Sequence, residues 1–342
     1  MDNIRTQKWL LILTCLATLL AFGVVKLGAW TRLSNAGLGC PDWPTCYGFI
    51  AVPSHPDKVE IANAAFPDRP LVQAKAWPEM IHRYFASTLG SLIVVIGVAS
   101  VILRKQPKHP LLHPLLLVAL VIFQGLLGKW TVTIKLFPPV VMSHLLGGFT
   151  TLSLLFLLSL RFANAFITPT YSGAEKFYKW ALAGIAILAL QIALGGWTAA
   201  NYAATVCTDL PICQHGWSQV LNLADAFKFW GHDVSDYEYA PHLAADAKIT
   251  IHVLHRFGAI VTGLYLLGLG LMLLTTQKAP RYQRFGLVLL TVLITQISLG
   301  VSNVLFQLPL AVAVAHNAVA AVLMLVLIAL SFSLYNEKNT RA

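Results

Sequence analysis

The chain has 342 residues, of which 57% are hydrophobic and 11% charged, with a mean hydropathy of +0.69 and a formal net charge of +10. This composition excludes a soluble globular domain. The basic excess gives no pointer to nucleic acid, because it is confined to short connections between apolar runs.

Runs long enough to cross a bilayer, about 20 residues each, are predicted at 9–29, 80–103, 111–130, 138–160, 178–198, 249–274, 284–303 and 309–334. Eight spans define an all-α integral membrane protein. The first run, followed by no small-residue cleavage site, reads as a retained anchor. Lys and Arg gather in the amino tail, at 104–109, 161–179 and 277–284, and in the carboxyl tail. Such an excess marks the cytoplasmic face. Both termini are therefore expected inside, with loops 30–78 and 199–248 outside.

The first span ends in Gly28-Ala29-Trp30-Thr31-Arg32, and its loop carries Cys40-Pro41-Asp42-Trp43-Pro44-Thr45-Cys46. The fifth ends in Gly195-Gly196-Trp197-Thr198, and its loop carries Cys207-Thr208-Asp209-Leu210-Pro211-Ile212-Cys213. Trp30, Cys40 and Cys46 map onto Trp197, Cys207 and Cys213 at a constant offset of 167. His82-Arg83 maps onto His255-Arg256 at 173, and Gln124, Gly128 and His144 map onto Gln296, Gly300 and His316 at 172. Matched offsets at so many points indicate a duplicated four-span unit. An even number of spans gives both copies one orientation, related by a pseudo-twofold axis along the membrane normal. The expected organisation is one four-helix bundle over 1–165 and a second over 166–342. A linker at 161–179, interrupted by Pro169 and Gly173, joins them.

His82, His144, His255 and His316 stand about 6–11 Å inside the outer ends of the second and fourth spans of each copy. Ionisable groups at that depth are rare and usually functional. Alone, each would be read as a hydrogen-bonding residue in a helix interface. Four at matched depth point instead to two pairs of facing imidazoles, the geometry for axial ligation of a haem iron. Few carboxylates accompany them, which argues against a di-metal site.

The copies differ at one place. Glu79 precedes His82 by three residues and His252 precedes His255 by three, so each shares a helix face with its histidine. Beside a bound porphyrin Glu79 can serve as acid, base or cation stabiliser. Otherwise it is an interfacial Glu at a helix start, favoured by the dipole; the asymmetry of the copies favours the first reading. His252 is a rival ligand to His255, and the adjoining Arg256 favours His255. Arg83 and Arg256 suit pairing with haem propionates, since a guanidinium matches a carboxylate as a fork, or else they snorkel to the interface.

Cys15, within the first span, reads as a small buried apolar residue. The other four cysteines fall in loops placed outside, where thiols oxidise, so disulfides Cys40–Cys46 and Cys207–Cys213 are expected. The first pair, beside the Glu79 site, suits a structural or a redox role equally; the second reads as structural.

Thr31-Arg32-Leu33, Gly37-Leu38-Gly39-Cys40-Pro41-Asp42-Trp43-Pro44, Glu79-x-x-His82-Arg83, Gln124-Gly125-x-x-Gly128, His144, His255-Arg256 and His316 together resemble the haem A synthase family, across essentially all eight spans. The resemblance implies a multi-pass oxidoreductase of the bacterial inner membrane, related to the mitochondrial enzyme. Its reaction would oxidise the C8 methyl of haem O to the formyl group of haem A by successive hydroxylations. The resemblance also implies a substrate-haem site on His82 and His144, with Glu79 in catalysis. A haem b on His255 and His316 would serve electron transfer. The implied partners are haem O, haem O synthase and cytochrome oxidase assembly proteins, with oligomers left open. The Cys40–Cys46 pair is similar to the family's loop disulfide, whereas Cys207 and Cys213 have no counterpart in every member. Two other readings compete. A di-haem transmembrane cytochrome would relay electrons but leave Glu79 without a role. A haem transporter or assembly factor would leave porphyrin chemistry unchanged.

Overall fold

The computed structural model describes residues 2–106, 109–166, 173–230, 243–276 and 279–339. These form α1 (Asp2–Leu33), α2 (Pro56–Ala65), α3 (Gln73–Ile102), α4 (Leu112–Thr133), α5 (Pro138–Phe162), α6 (Tyr178–Ala200), α7 (Leu223–Ala226), α8 (Ala245–Leu274), α9 (Pro280–Leu305) and α10 (Leu310–Asn339). All but α2 and α7 are long and apolar enough to cross a membrane, eight helices in total among the described residues. No strand occurs among those residues. The protein is thus an all-α, multi-pass membrane protein, and α2 and α7 lie in its two long loops.

The helices pack as two closed groups of four. In the first, α1 packs on α3 and α5, α3 on α4, and α4 on α5. In the second, α6 packs on α8 and α10, α8 on α9, and α9 on α10. The groups meet where α1 and α5 pack on α10 and where α5 packs on α6. A continuous apolar core runs through both, from Leu117, Leu152 and Leu155 to Leu266, Leu289 and Leu327. Pro169, expected to interrupt the linker, lies outside the described residues.

The helix ends repeat as the sequence does. Asn35 and Tyr202 both have positive φ, 52° and 53°; Lys135 and Gln307 have 46° and 55°; Leu136 and Leu308 have 61° and 63°. Non-glycine residues rarely adopt this left-handed region. Here it lets the chain fold back on each helix end, so that orphan carbonyls find donors. Ala36 N–H reaches Thr31 O and Ala203 N–H reaches Thr198 O, both at 2.9 Å. Leu136 N–H reaches Thr131 O at 2.8 Å, and Leu308 N–H reaches Asn303 O at 2.7 Å.

Two sequence readings are corrected. The second and sixth spans begin earlier than the apolar runs, at Gln73 rather than 80 and at Ala245 rather than 249. Pro78 therefore sits inside α3 and removes one bond of its ladder. The turn before it is held by packing instead. Ala76 is fully buried, and a Cβ on Gly39 would lie 2.7 Å from the Ala76 nitrogen. Glu79 consequently lies in the second turn of α3 rather than at a helix start, and it is buried, with 5% of its surface exposed. Cys15 is exposed rather than buried. The outside of a membrane helix is as apolar as its inside, so composition could not tell the two faces apart.

Candidate functional site

The sites lie at the end of the helices that carries the disulfide loops. His82 on α3 and His144 on α5 come together, with ring centroids 6.4 Å apart and ring planes at 85°. An imidazole–metal bond is about 2 Å. Two such bonds, with about 1 Å from each ligating nitrogen to its ring centre, place two ring centres about 6 Å apart. The pair therefore has room for one metal ion between its rings. The Nδ1 atoms of both histidines are buried without a hydrogen-bond partner. A buried polar group left in that state calls for an explanation.

Glycines make the positions tenable. A Cβ on Gly28 of α1 would stand 3.0 Å from His82 Cε1, and one on Gly128 of α4 would stand 3.5 Å from His144 Cε1. The second group repeats this. A Cβ on Gly195 of α6 would stand 3.1 Å from His255 Cε1 on α8, and one on Gly300 of α9 would stand 3.1 Å from His316 Cε1 on α10. Each imidazole thus lies against bare backbone of the helix beside it. His255 and His316 are within electrostatic range of each other. Gln191 Nε2 of α6 lies 2.9 Å from His255 Nδ1, and Gln296 Nε2 of α9 lies 3.3 Å from His316 Nε2. Among the described residues no three His, Cys, Asp or Glu side chains cluster as a metal site. The histidines come as pairs, suited to a metal whose remaining ligands are brought with it.

Over the first pair, Glu79, Arg83 and the Cys40–Cys46 loop form one unit. The disulfide closes the loop with Cα atoms 4.8 Å apart. Asp42 folds it by accepting from Tyr47 N–H at 2.6 Å and Gly48 N–H at 2.9 Å. Arg83 Nη1 donates to Thr45 O at 2.7 Å and Asp42 O at 3.0 Å. Its Nη2 is ion-paired to Glu79 Oε1. Glu79 Oε2 accepts the Cys40 N–H at 2.9 Å. The carboxylate is therefore buried with its charge matched and both oxygens held, the condition for a stable buried ion.

The second loop is built likewise but without the acid. Cys207 and Cys213 are bonded, with Cα atoms 4.7 Å apart. Arg256 Nη1 donates to Ile212 O at 2.7 Å and also to Asp209 O, and its Nη2 donates to Cys207 O at 2.6 Å. Where the first group has Glu79, this one has His252, whose Nε2 accepts from Arg256 Nε at 3.2 Å. The two arginines, read from sequence as propionate contacts, act in this structure as clamps on loop carbonyls.

Over residues 8–328 the chain matches the family model of the cytochrome oxidase assembly proteins, COX15-CtaA. The chain belongs to this family. It is 46% identical over 334 residues to the Heme A synthase of Shewanella oneidensis, covering 97% of this chain and 98% of that one. It is similar at greater distance to the Heme A synthases of Caulobacter vibrioides, 26% identical with 93% and 92% of the chains covered, and of Halalkalibacterium halodurans, 22% with 90% and 91%.

In this COX15-CtaA chain the structure brings His82 and His144 together and closes both disulfides, and it adds residues the sequence reading passed over. Gly28 and Gly195 stand at the repeat offset of 167, the same signal that gave Trp30 and Trp197, and could have been found that way. Gln191 could not, because its repeat equivalent is Val24.

Proposed function

We propose that this COX15-CtaA chain is a haem A synthase, an oxidoreductase that converts haem O to haem A in the bacterial inner membrane. The observation that carries the reading is the His82–His144 pair, spaced for one iron, with a buried carboxylate, Glu79, one turn away on the same helix. His82 and His144 hold the iron of the substrate haem O. They orient its ring so that the C8 methyl, the group to be oxidised to formyl, comes to Glu79. Glu79 stabilises positive charge that develops there or takes a proton from the oxygen nucleophile. Arg83 and the Cys40 N–H keep that carboxylate in place and ready. The Cys40–Cys46 loop, clamped by Arg83, covers this end of the bundle and keeps bulk water from the reacting group.

His255 and His316 hold a haem b. Four glycine seats at equivalent positions, one against each imidazole, support one porphyrin per group. When bound, haem b supplies one-electron transfer. Arg256, with four bonds already made, keeps at most one N–H for a propionate; Arg83 keeps its Nε–H and the second proton of Nη2 for that role. Both termini lie on the cytoplasmic side, placing the loops outside, and haem O synthase and oxidase assembly proteins are the partners that would deliver substrate and take product.

The test is pigment extraction from membranes carrying Glu79→Ala or Glu79→Gln beside the unaltered chain. Accumulated haem O or a hydroxylated intermediate, with haem b intact, supports the assignment. Unchanged haem A output removes Glu79 from the chemistry. No haem A from the unaltered chain supplied with haem O leaves an electron-relay cytochrome.

A further inference from the structure

The two histidine pairs differ in how their rings are held. His82, His144 and His316 each have a buried Nδ1 without a partner. His255 does not, since the Gln191 amide sits 2.9 Å from its Nδ1 and donates to its carbonyl at 3.0 Å. Gln191 reaches that place because Gly258, one turn beyond His255 on α8, leaves a notch; a Cβ there would overlap the amide oxygen and lie 3.0 Å from Leu194 Cδ1. The first group lacks both parts. The repeat equivalent of Gln191 is Val24, and that of Gly258 is Phe85. Gln124 does fill a similar notch at Gly147 on the His144 helix. Its Nε2 nevertheless finds no partner, and neither does His144 Nδ1.

We infer that Gln191 is a positioning residue that locks His255 as the permanent ligand of the haem b, and that the absence of such a lock leaves the substrate site free to exchange its porphyrin. The inference rests on the assignment of haem b to His255 and His316. A metal on His255 Nε2 fixes the ring proton on Nδ1, so the amide must then offer its oxygen. Gln191 Oε1 is buried and otherwise unpartnered; rotation of the amide about its last torsion exchanges it with Nε2, so that Oε1 meets Nδ1–H and the donation to the His255 carbonyl is given up. An acceptor on Nδ1–H fixes the ring plane and makes the ligating nitrogen more basic. That slows ligand loss and favours ferric over ferrous iron. The division suits the chemistry, since a cofactor must stay while a substrate and its product must leave each turnover.

The experiment uses the purified full chain carrying both pigments, with Gln191→Leu and Gln191→Glu. Haem release to excess apomyoglobin and the reduction potential of haem b are measured. In Gln191→Leu, haem b is expected to leave on the order of 10- to 100-fold faster and its potential to rise, while release of the substrate-site haem is unchanged. In Gln191→Glu, a stronger acceptor at the same place, the potential is expected to fall and retention to be kept or improved. Equal potentials and release rates in all three proteins overturn the inference. So does equal loss of both pigments in both variants, which would mark Gln191 as a packing residue. Failure of the underlying assignment gives a different result: a His255→Met protein whose haem b spectrum is unaltered.

Discussion

Replacing the glycines that seat the imidazoles, one at a time, by alanine gives a graded prediction. Carbon atoms pack best at about 3.5–4.0 Å. An added Cβ would meet His82 Cε1 at 3.0 Å from position 28 and His255 Cε1 at 3.1 Å from position 195. Each ring must then retreat by roughly half an ångström, and a ligating ring has little freedom to do so because its metal bond is fixed at about 2 Å. Overpacking of this kind costs about 1–3 kcal/mol, which is roughly 5- to 150-fold in haem affinity. At position 128 the contact is 3.5 Å, and at Gly23 no atom lies within 4 Å of the added Cβ. Gly28→Ala should therefore lose haem O, Gly195→Ala and Gly300→Ala should lose haem b, and Gly128→Ala should be mild. Gly23→Ala should be silent. The assay is pigment content per protein by extraction and chromatography, with thermal unfolding to show that each variant is folded. Full loading of Gly28→Ala, or equal damage from Gly128→Ala and Gly28→Ala, would refute the claim that these rings are metal ligands held against bare backbone.

Arg256→Ala strips donors from the carbonyls of Cys207, Asp209 and Ile212. With charge-assisted bonds worth about 1.5–3 kcal/mol each, the 207–213 loop should become open to proteolysis while α6 and α8 stay intact, a difference read by limited digestion. Trp197→Phe removes the Nε1–H that reaches Ala226 O at 2.8 Å in a buried contact. It should lower stability by about 1–3 kcal/mol, seen as a lower midpoint in detergent unfolding with pigments retained. The perpendicular ring planes of His82 and His144, at 85°, should give the substrate haem a highly anisotropic low-spin signal in paramagnetic resonance; a signal typical of parallel ligand planes would count against this ring geometry.

Much of the site was legible in the sequence because membrane burial makes ionisable residues conspicuous and a duplication supplies an internal control. His82, His144, His255 and His316 stood out on both counts, and the loop cysteines and Glu79 followed from comparing the copies. Other features were hidden for physical reasons. The early start of α3 comes from Ala76 packing under the Gly39 backbone, a contact between segments far apart in sequence. The outward face of Cys15 carries no compositional mark in an apolar solvent. The arginine clamps bind backbone carbonyls, groups that every residue carries and that no side-chain pattern can announce. Gln191 was invisible because it breaks the repeat through which the chain was read.

The most direct test of two porphyrins on two separate histidine pairs is the pigment composition of purified His255→Met and His316→Met proteins set against His82→Met and His144→Met. The first two should lose haem b and keep haem O, and the second two should lose haem O and keep haem b. Loss of both pigments together in folded variants from either pair would contradict it.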